Sequence, residues 1–586
     1  MNKKNVIFLV VDSLNYSRVK SSNYAVMPYL KKLEQESIYC QNMYSEAPYT
    51  EAACMNIYCG QDTLNHNGYI SRYKHSPKTL FEAMQDAGYQ TYSFCSPSSS
   101  IRGVDGLYYH LGFEFGYLWA YRFSHFANVL KNNNLTENDY AVLIELFDDN
   151  FSNWIRFTCD IESNKEICSM IVGNDKNNKP ELVRKDVESE YATYQNDKKA
   201  YINSVLEQGT SHKLFSIPAY VQNNKIKNRE FIEQIRQLYT PLFKKIKRKN
   251  IKLNRRNNKG VFKGANKKLG FFLRHPSKVN LKNYLKALYI SINTIRDLDL
   301  FTRIERPDEF KNAPSLNKHL EHFYNWAENR QSDKPYFACI HVDDVHNPEI
   351  FFTYDTEDIE LLKRQKEISE KYVDSLPKDY KGVISHDLSL LYIDSEIKRM
   401  VDFLKEKGLY EDTTIVITAD HGFSFAGYPI RDSFVINKYL ENYNIPFVIV
   451  NSGLAPNKIE EICRSTDIAT TLVELSGGVV PENFSGHSIL DKPIRDRKAI
   501  IEFCGGGCPD LSRREIMAAA FDKEWFVGVN YTLDSEISLD SVSEIYNLAK
   551  DPLQLKNLVK GEYDKDRISM LLEVIKARKE EIVKTR

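Results

Sequence analysis

The chain has 586 residues, 79 Lys plus Arg against 79 Asp plus Glu, a formal net charge of zero and 42% hydrophobic residues. Such a length allows two or more domains with a large core, and the zero sum means that any electrostatic specialisation is local. No run approaches the roughly 18 apolar residues of a membrane span, and ten cysteines without regular spacing argue for reduced thiols over a disulfide framework.

In chain order, Asn5–Val11 is nearly continuous in apolar, β-branched residues and ends in Asp12-Ser13, the pattern of a strand buried on both faces. Lys3-Lys4 imitates the start of a secretion signal, but the six apolar residues before Asp12 are too few for a signal core. The expectation is a cytoplasmic protein, peripheral at most to the inner membrane face. Next comes Ala47-Pro48-Tyr49-Thr50-Glu51-Ala52-Ala53-Cys54, running on to Gly60, which reads as a short helix headed by Thr50. Unpaired backbone N–H groups and a partial positive charge at a helix N-terminus let a hydroxyl there ionise and hold an anionic substrate. The alternative is that Thr50 is only an N-cap.

Residues 106–333 read as a polar, helical insertion. Within it, Arg236 to Arg296 holds eighteen Lys and Arg and no Asp or Glu, including Lys244-Lys245-Ile246-Lys247-Arg248-Lys249 and, interleaved with apolar residues, Leu269-Gly270-Phe271-Phe272-Leu273-Arg274. Such a block suits an anionic membrane surface, where each cation adds about 1 kcal/mol. A solvated surface is the alternative, and Asp148-Asp149 and Glu188-Ser189-Glu190 offer partners that would hide some charge. No nucleic-acid-reading module accompanies the block, so nucleic acid is not an expected partner.

Tyr336 to His341, Thr413 to Ala419 and Phe447 to Val450 read as further strands, with a helix at Asp394 to Lys407, an alternation that points to a parallel sheet. The second of these strands runs into Asp420-His421-Gly422. In an open parallel sheet ligands bind beyond the carboxyl ends of the strands, which would bring Asp12, Asp420 and His421 to one crevice. Two carboxylates, an imidazole and the Thr50 hydroxyl make a mixed O/N shell for one divalent metal, with Zn²⁺ or Mn²⁺ favoured over Ca²⁺ or Mg²⁺.

Together these residues resemble the sulfatase branch of the alkaline phosphatase superfamily. The further landmarks are Val345-His346-Asn347-Pro348, Ser465-Thr466-Asp467 through Leu472, and Glu544 through Pro552 followed by Asn557-Leu558. The resemblance implies an α/β fold, an alkaline-phosphatase-like, mostly parallel sheet flanked by helices. Residues 1–105 and 334–490 would form the catalytic domain, 106–333 a large helical insertion, and 491–586 a small C-terminal α+β portion. It further implies His346 as acid or base for the leaving group or acceptor, with His341 and Lys438 near the substrate; for Lys438, whose spacing is off by a few residues, a solvated surface lysine is the alternative. A second metal would draw on His341, Asp343 and Asp344, as in two-metal phosphodiesterases. Cys504-Gly505-Gly506-Gly507-Cys508 lacks the spacing of a zinc site and reads as a Gly-rich turn.

Thr50-Glu51-Ala52-Ala53-Cys54 departs from the branch's Cys/Ser-x-Pro-Ser-Arg, and Thr cannot become formylglycine. A threonine here is similar to that of phosphoethanolamine and phosphoglycerol transferases. The leading expectation is therefore a metal-dependent phosphotransferase working through a phospho-threonine. It would carry a group from a phosphodiester or nucleotide-activated donor to a glycan or lipid hydroxyl acceptor, in making a cell-surface polysaccharide or lipid precursor. The alternatives are a sulfatase-like hydrolase, whether phosphodiesterase or sulfuric ester hydrolase, and a non-enzymatic membrane- or partner-binding protein.

Overall fold

A computed structural model describes residues 3–67, 77–95, 102–107, most of 135–155, 180–214, 229–257, 263–297, 316–345 except 343, 359–423 except 378–379 and 381–382, 438–504 except 492–493, and 515–585. The strands in chain order are β1 (Asn5–Val11), β2 (Ile38–Tyr44), β3 (Gln90–Cys95), β4 (Gly106–Leu107), β5 (Tyr336–Val342), β6 (Thr413–Thr418), β7 (Asn444–Ile445), β8 (Phe447–Val450), β9 (Asn457–Arg464), β10 (Ala499–Phe503), β11 (Ile516–Phe521), β12 (Trp525–Tyr531) and β13 (Val542–Asn547).

The first nine form one mixed sheet in the order β4-β3-β5-β1-β6-β8-β2-β7, with β9 beside β2. Its centre is parallel: β1 pairs with β5 from Val6↔Phe337 to Val11↔Val342, and with β6 from Asn5↔Thr413 to Val10↔Thr418. These strands are buried on both faces, which is why they read as apolar runs without alternation. Beyond β6 the direction reverses, since β8 is antiparallel to both β6 and β2. Phe447–Val450 is thus a strand, but not the parallel one expected from its sequence.

Helices cover the sheet. Pro28–Gln35 begins with Pro at its first position and no side-chain cap of its own; Asp394, from the long helix Ile384–Glu406, accepts from the N–H groups of Tyr29 and Leu30 at 2.8 Å each. The orphan donors of one helix are thereby satisfied by its neighbour. The helix Leu316–Asn329, inside the segment read as an insertion, lays Phe323 and Trp326 against Phe94 of β3 and Tyr336 of β5. It therefore belongs to the layer flanking the sheet. Fully buried, Phe323 contributes about 1.5–3 kcal/mol.

The residues after 498 form a four-stranded antiparallel sheet, β10-β11-β12-β13, backed by the helix Lys565–Lys584. A second apolar cluster, including Tyr443, Ile462, Phe503, Phe521, Phe526 and Tyr546, joins this sheet to the first. No disulfide links the described cysteines. Among the described residues no helix is long and apolar enough to cross a membrane.

Candidate active site and metal centre

The strand register assembles the site. Val11 of β1 lies beside Val342, and Val10 lies beside both His341 and Thr418, so Asp12 and Asp420 leave adjacent strands at neighbouring heights. Both are buried, as is His421. From across the crevice comes the helix Thr50–Cys59. Tyr49, in extended conformation, occupies its N-cap position, and Thr50 is the first helical residue. The Thr50 hydroxyl is therefore not the cap: it donates to Asp12 Oδ2 at 2.9 Å and lies 3.4 Å from His421 Nε2. The helix closes at Gly60, φ +59°, where an added Cβ would sit 2.6 Å from the Phe484 ring. Only glycine meets both conditions at low cost.

Asp12, Asp420 and His421 present ligand atoms that all lie within 4.8 Å of one another. His421 Nε2 is 3.6 Å from Asp12 Oδ1 and 3.5 Å from Asp420 Oδ2. On the other side of the ring, Nδ1 is 2.6 Å from the Gly422 carbonyl oxygen. That contact places the proton on Nδ1 and turns the Nε2 lone pair toward the carboxylates, the usual outer support of a metal-binding histidine. Gly422 is required for close backbone approach, because a Cβ would come 2.5 Å from the Glu441 carbonyl oxygen. Asp420 Oδ1 accepts from the N–H of His421 at 2.7 Å and of Ser13 at 3.1 Å, whereas the buried Oδ2 has no hydrogen-bond donor. A buried carboxylate oxygen left this way among O and N donors is costly unless a cation neutralises it. The donor set fits one divalent metal held by Asp12, Asp420 and His421, with Thr50 Oγ1 beside it.

Ser13, which the sequence showed only as the neighbour of Asp12 at the strand end, is a support: at φ +63° its hydroxyl donates to Asp12 Oδ1 at 2.7 Å. A non-glycine residue held in the left-handed region is the kind of strain found at functional sites. His341 is fully buried, with Nδ1 3.0 Å from the Tyr58 hydroxyl and Nε2 3.8 Å from Asp420 Oδ2. It faces the Asp420 carboxylate, and a direct substrate contact is not what this placement provides. Lys438 differs more from its expected role. Buried, it donates to Asn530 Oδ1 at 2.9 Å and Ser543 Oγ at 3.3 Å and pairs with Glu544 at 3.2 Å. It is neither a solvated lysine nor one turned to the cluster, but a tie to β12 and β13. Asp344, a candidate for a second metal, accepts from the Leu316 N–H at 2.9 Å and thereby serves a helix start. Asp343, His346 with its Asn347-Pro348, and Gly505 to Cys508 lie outside the described residues.

Sequence reasoning missed the anchor under the Thr50 helix. Glu46, four residues before Thr50, is buried with Thr466 Oγ1 donating to its Oε1 at 2.8 Å and Arg464 Nε 2.9 Å away. Arg464 also binds Asp62, just after Gly60. Burial, against the pull of Arg464 and with the Asp62 charge alongside, pushes the Glu46 pKa up to about 8. Asp467 joins the same region, gripped by both terminal nitrogens of Arg497 and by the N–H groups of Arg464 and His487. Acidic residues scattered along a sequence carry no signal that they converge on one arginine.

Fold and site together define the class of centre by its geometry: a hydroxyl at a helix start, facing a two-carboxylate, one-imidazole cluster at the ends of parallel strands. The Sulfatase family model matches residues 4–289 and 256–479, and the chain belongs to that family. It is similar to an endo-4-O-sulfatase of Bacteroides thetaiotaomicron, 23% identical over 206 residues, which are 34% of this chain and 40% of that protein. It is also similar to the multifunctional alkaline phosphatase superfamily protein PehA of Trinickia caryophylli, 33% identical over 101 residues, 17% of this chain and 19% of that one. The chain thus spans less than half the length of these curated relatives. Among solved structures, a phosphonate monoester hydrolase of Agrobacterium radiobacter overlays all of this chain and 96% of its own, at 14% identity and a TM-score of 0.47.

Proposed function

We propose that the protein is a metal-dependent hydrolase of phospho- or sulfo-esters in which Thr50 is the nucleophile. One observation carries this reading: Thr50 Oγ1 lies 2.9 Å from Asp12 and 3.4 Å from His421, inside the only cluster of metal-ligand type found among the described residues. A divalent cation bound there would acidify the Thr50 hydroxyl and offset charge on the non-bridging ester oxygens.

The chain's own residues supply the rest. Thr50 gives up its proton toward Asp12 Oδ2, and Oγ1 attacks the phosphorus of a phosphodiester. The Oγ1–P bond forms as the bond to the leaving alcohol breaks; His346 is the sequence-based candidate to protonate that alcohol. Water then breaks the Oγ1–P bond and Thr50 regains its proton. The helix N-terminus at Thr50 aims backbone N–H groups at the anion throughout.

The relatives, an endo-4-O-sulfatase and a multifunctional alkaline phosphatase superfamily protein, support water as the acceptor over the transferase reading. The residues at the nucleophile favour phosphorus over sulfur, because Thr50 lies outside the formylglycine route. Rapid quenching with bis-p-nitrophenyl phosphate followed by peptide mass spectrometry tests this. The expected result is release of one nitrophenol per diester without added alcohol and a Thr50 peptide carrying a nitrophenylphosphoryl group. Turnover that survives in Thr50→Ala would exclude the covalent route.

A further inference from the structure

Part of the charge in the Lys244–Lys249 run is spent inside the protein. In the helix Arg229–Asn257, Tyr239, Leu242, Phe243 and Ile246 pack inward, Tyr239 donates to the Leu362 carbonyl at 2.7 Å, Lys245 pairs with Asp374 at 2.6 Å, and Lys249 donates to the Val373 carbonyl. That part of the run is a clamp on the helix Ile359–Ser375.

The next two helices, Lys263–Arg274 and Lys278–Asp297, pack chiefly against each other as a hairpin. Its turn is built: the Ser277 hydroxyl accepts from the Asn280 N–H at 3.1 Å, and the Asn280 side chain donates to the His275 carbonyl at 2.7 Å. Around this ordered tip the apolar side chains point outward: Phe271 is 56% exposed, Leu273 69%, Val279 68% and Leu285 51%. Lys278, Lys282 and Lys286, each four residues from the next, run as a stripe beside Leu281 and Leu285 on the same helix. Among the described residues no carboxylate pairs with these three lysines.

We propose that this hairpin docks the enzyme on an anionic phospholipid surface, with Phe271, Leu273 and Val279 entering the headgroup boundary and the lysine stripe over the phosphates. Charge complementarity selects that occupant, since residues 236–296 contain eighteen cations and no carboxylate. Large apolar side chains exposed beside cations are the pattern of an interfacial helix, whereas a polyanion in water would engage the lysines and leave Phe271, Leu273 and Val279 exposed. The placement is independent of how Thr50 acts.

Co-sedimentation of the full chain with phosphatidylglycerol vesicles and with phosphatidylcholine vesicles, at low and high salt, tests the proposal. The expected result is binding to phosphatidylglycerol only, weakened by salt, and unchanged in Thr50→Ala. Lys278→Gln/Lys282→Gln/Lys286→Gln should lower the affinity on the order of 100-fold, at about fivefold per cation. Phe271→Ser/Leu273→Ser should lower it at least about tenfold; both variants should keep wild-type turnover of a soluble ester. Equal binding to the two vesicle types, loss of neither affinity in the variants, RNA binding indifferent to Phe271→Ser/Leu273→Ser, or self-association through the hairpin without vesicle binding would each overturn it.

Discussion

How the segment leading into Thr50 is held can be tested through Glu46. At about 8 instead of 4.5, its pKa leaves the folded protein carrying a proton that the unfolded chain has lost. Over that window the folded form binds more protons, so stability falls as pH rises from about 4.5 to about 8 and levels off above it. Asp62 moves oppositely: despite its burial, Arg464 and Arg578 hold it well below the ordinary carboxylate range. One guanidinium thus serves the ionised Asp62 while Glu46 stays neutral. The full displacement of Glu46 amounts to at most ~5 kcal/mol; relaxation of Arg464 and entry of water reduce this, so ~2 kcal/mol across the window is the expected size. Glu46→Gln keeps Oε1 to accept from Thr466 and puts an amide NH₂ where the protonated Oε2 sits. In urea unfolding of both proteins near pH 5 and near pH 8, the variant's stability relative to wild type should improve by ~2 kcal/mol toward the higher pH. A difference between the two proteins that stays flat with pH would refute the assignment of a neutral, buried Glu46.

Thr50→Ala should lower kcat by about 10³ or more with metal content unchanged, read by p-nitrophenol release and elemental analysis, while Thr50→Ser should retain the covalent phosphate. Asp420→Asn should lose bound Zn²⁺ or Mn²⁺ at substoichiometric chelator concentrations that leave wild type loaded; equal retention would count against the ligand set. Gly60→Ala should destabilise by ~2–4 kcal/mol, from the left-handed backbone and the Phe484 clash together, and Gly60→Ala/Phe484→Leu should recover the steric part in a double-mutant cycle. Arg578→Ala should cost ~3–5 kcal/mol by thermal or urea unfolding, because it leaves the buried Glu502 carboxylate without its cation.

Much of this architecture was legible for one physical reason. Central strands of a parallel sheet are buried on both faces, so Val6–Val11 and Thr413–Thr418 declare themselves as apolar runs, and the polar residues at their carboxyl ends, Asp12 and Asp420-His421, declare the crevice. Direction is another matter, since Phe447–Val450 has the same apolar signature whichever way it runs, and only its pairing with Thr418 to Ile415 shows it antiparallel. Lys438 was misplaced because sequence carries no record of a cavity between Asn530, Ser543 and Glu544 able to satisfy a buried ammonium. Pairing within the basic run was expected, but not its partner: Lys245 pairs with Asp374, more than a hundred residues away. Thr50 was singled out correctly as a hydroxyl at a helix start, yet the reason it is no cap lies in the extended backbone of Tyr49, which leaves its oxygen to Asp12.

The C-terminal sheet bears on the chemistry although it holds none of the metal-type ligands. Glu502 of β10 accepts from the Leu64 N–H at 2.9 Å, and Arg578 joins Glu502 to Asn65. These contacts fall on the turn that follows Gly60, Gln61 and Asp62, so the C-terminal portion grips the far end of the segment whose near end is Thr50. At that near end, Glu502 N–H donates to the Glu46 carbonyl at 2.9 Å. One residue of the second sheet therefore holds the nucleophile helix by backbone and side chain on both flanks. Rotation of that helix by even a fraction of a turn would take Oγ1 out of hydrogen-bond range of Asp12, and a small misplacement of a reacting atom is enough to cost about 10²-fold in rate. On the proposed reading the C-terminal sheet therefore supports catalysis by position, and its loss would be felt at Thr50 before it was felt at Asp12, Asp420 or His421, which are placed by the register of β1 with β5 and β6 and by the Gly422–Asn442 backbone contact.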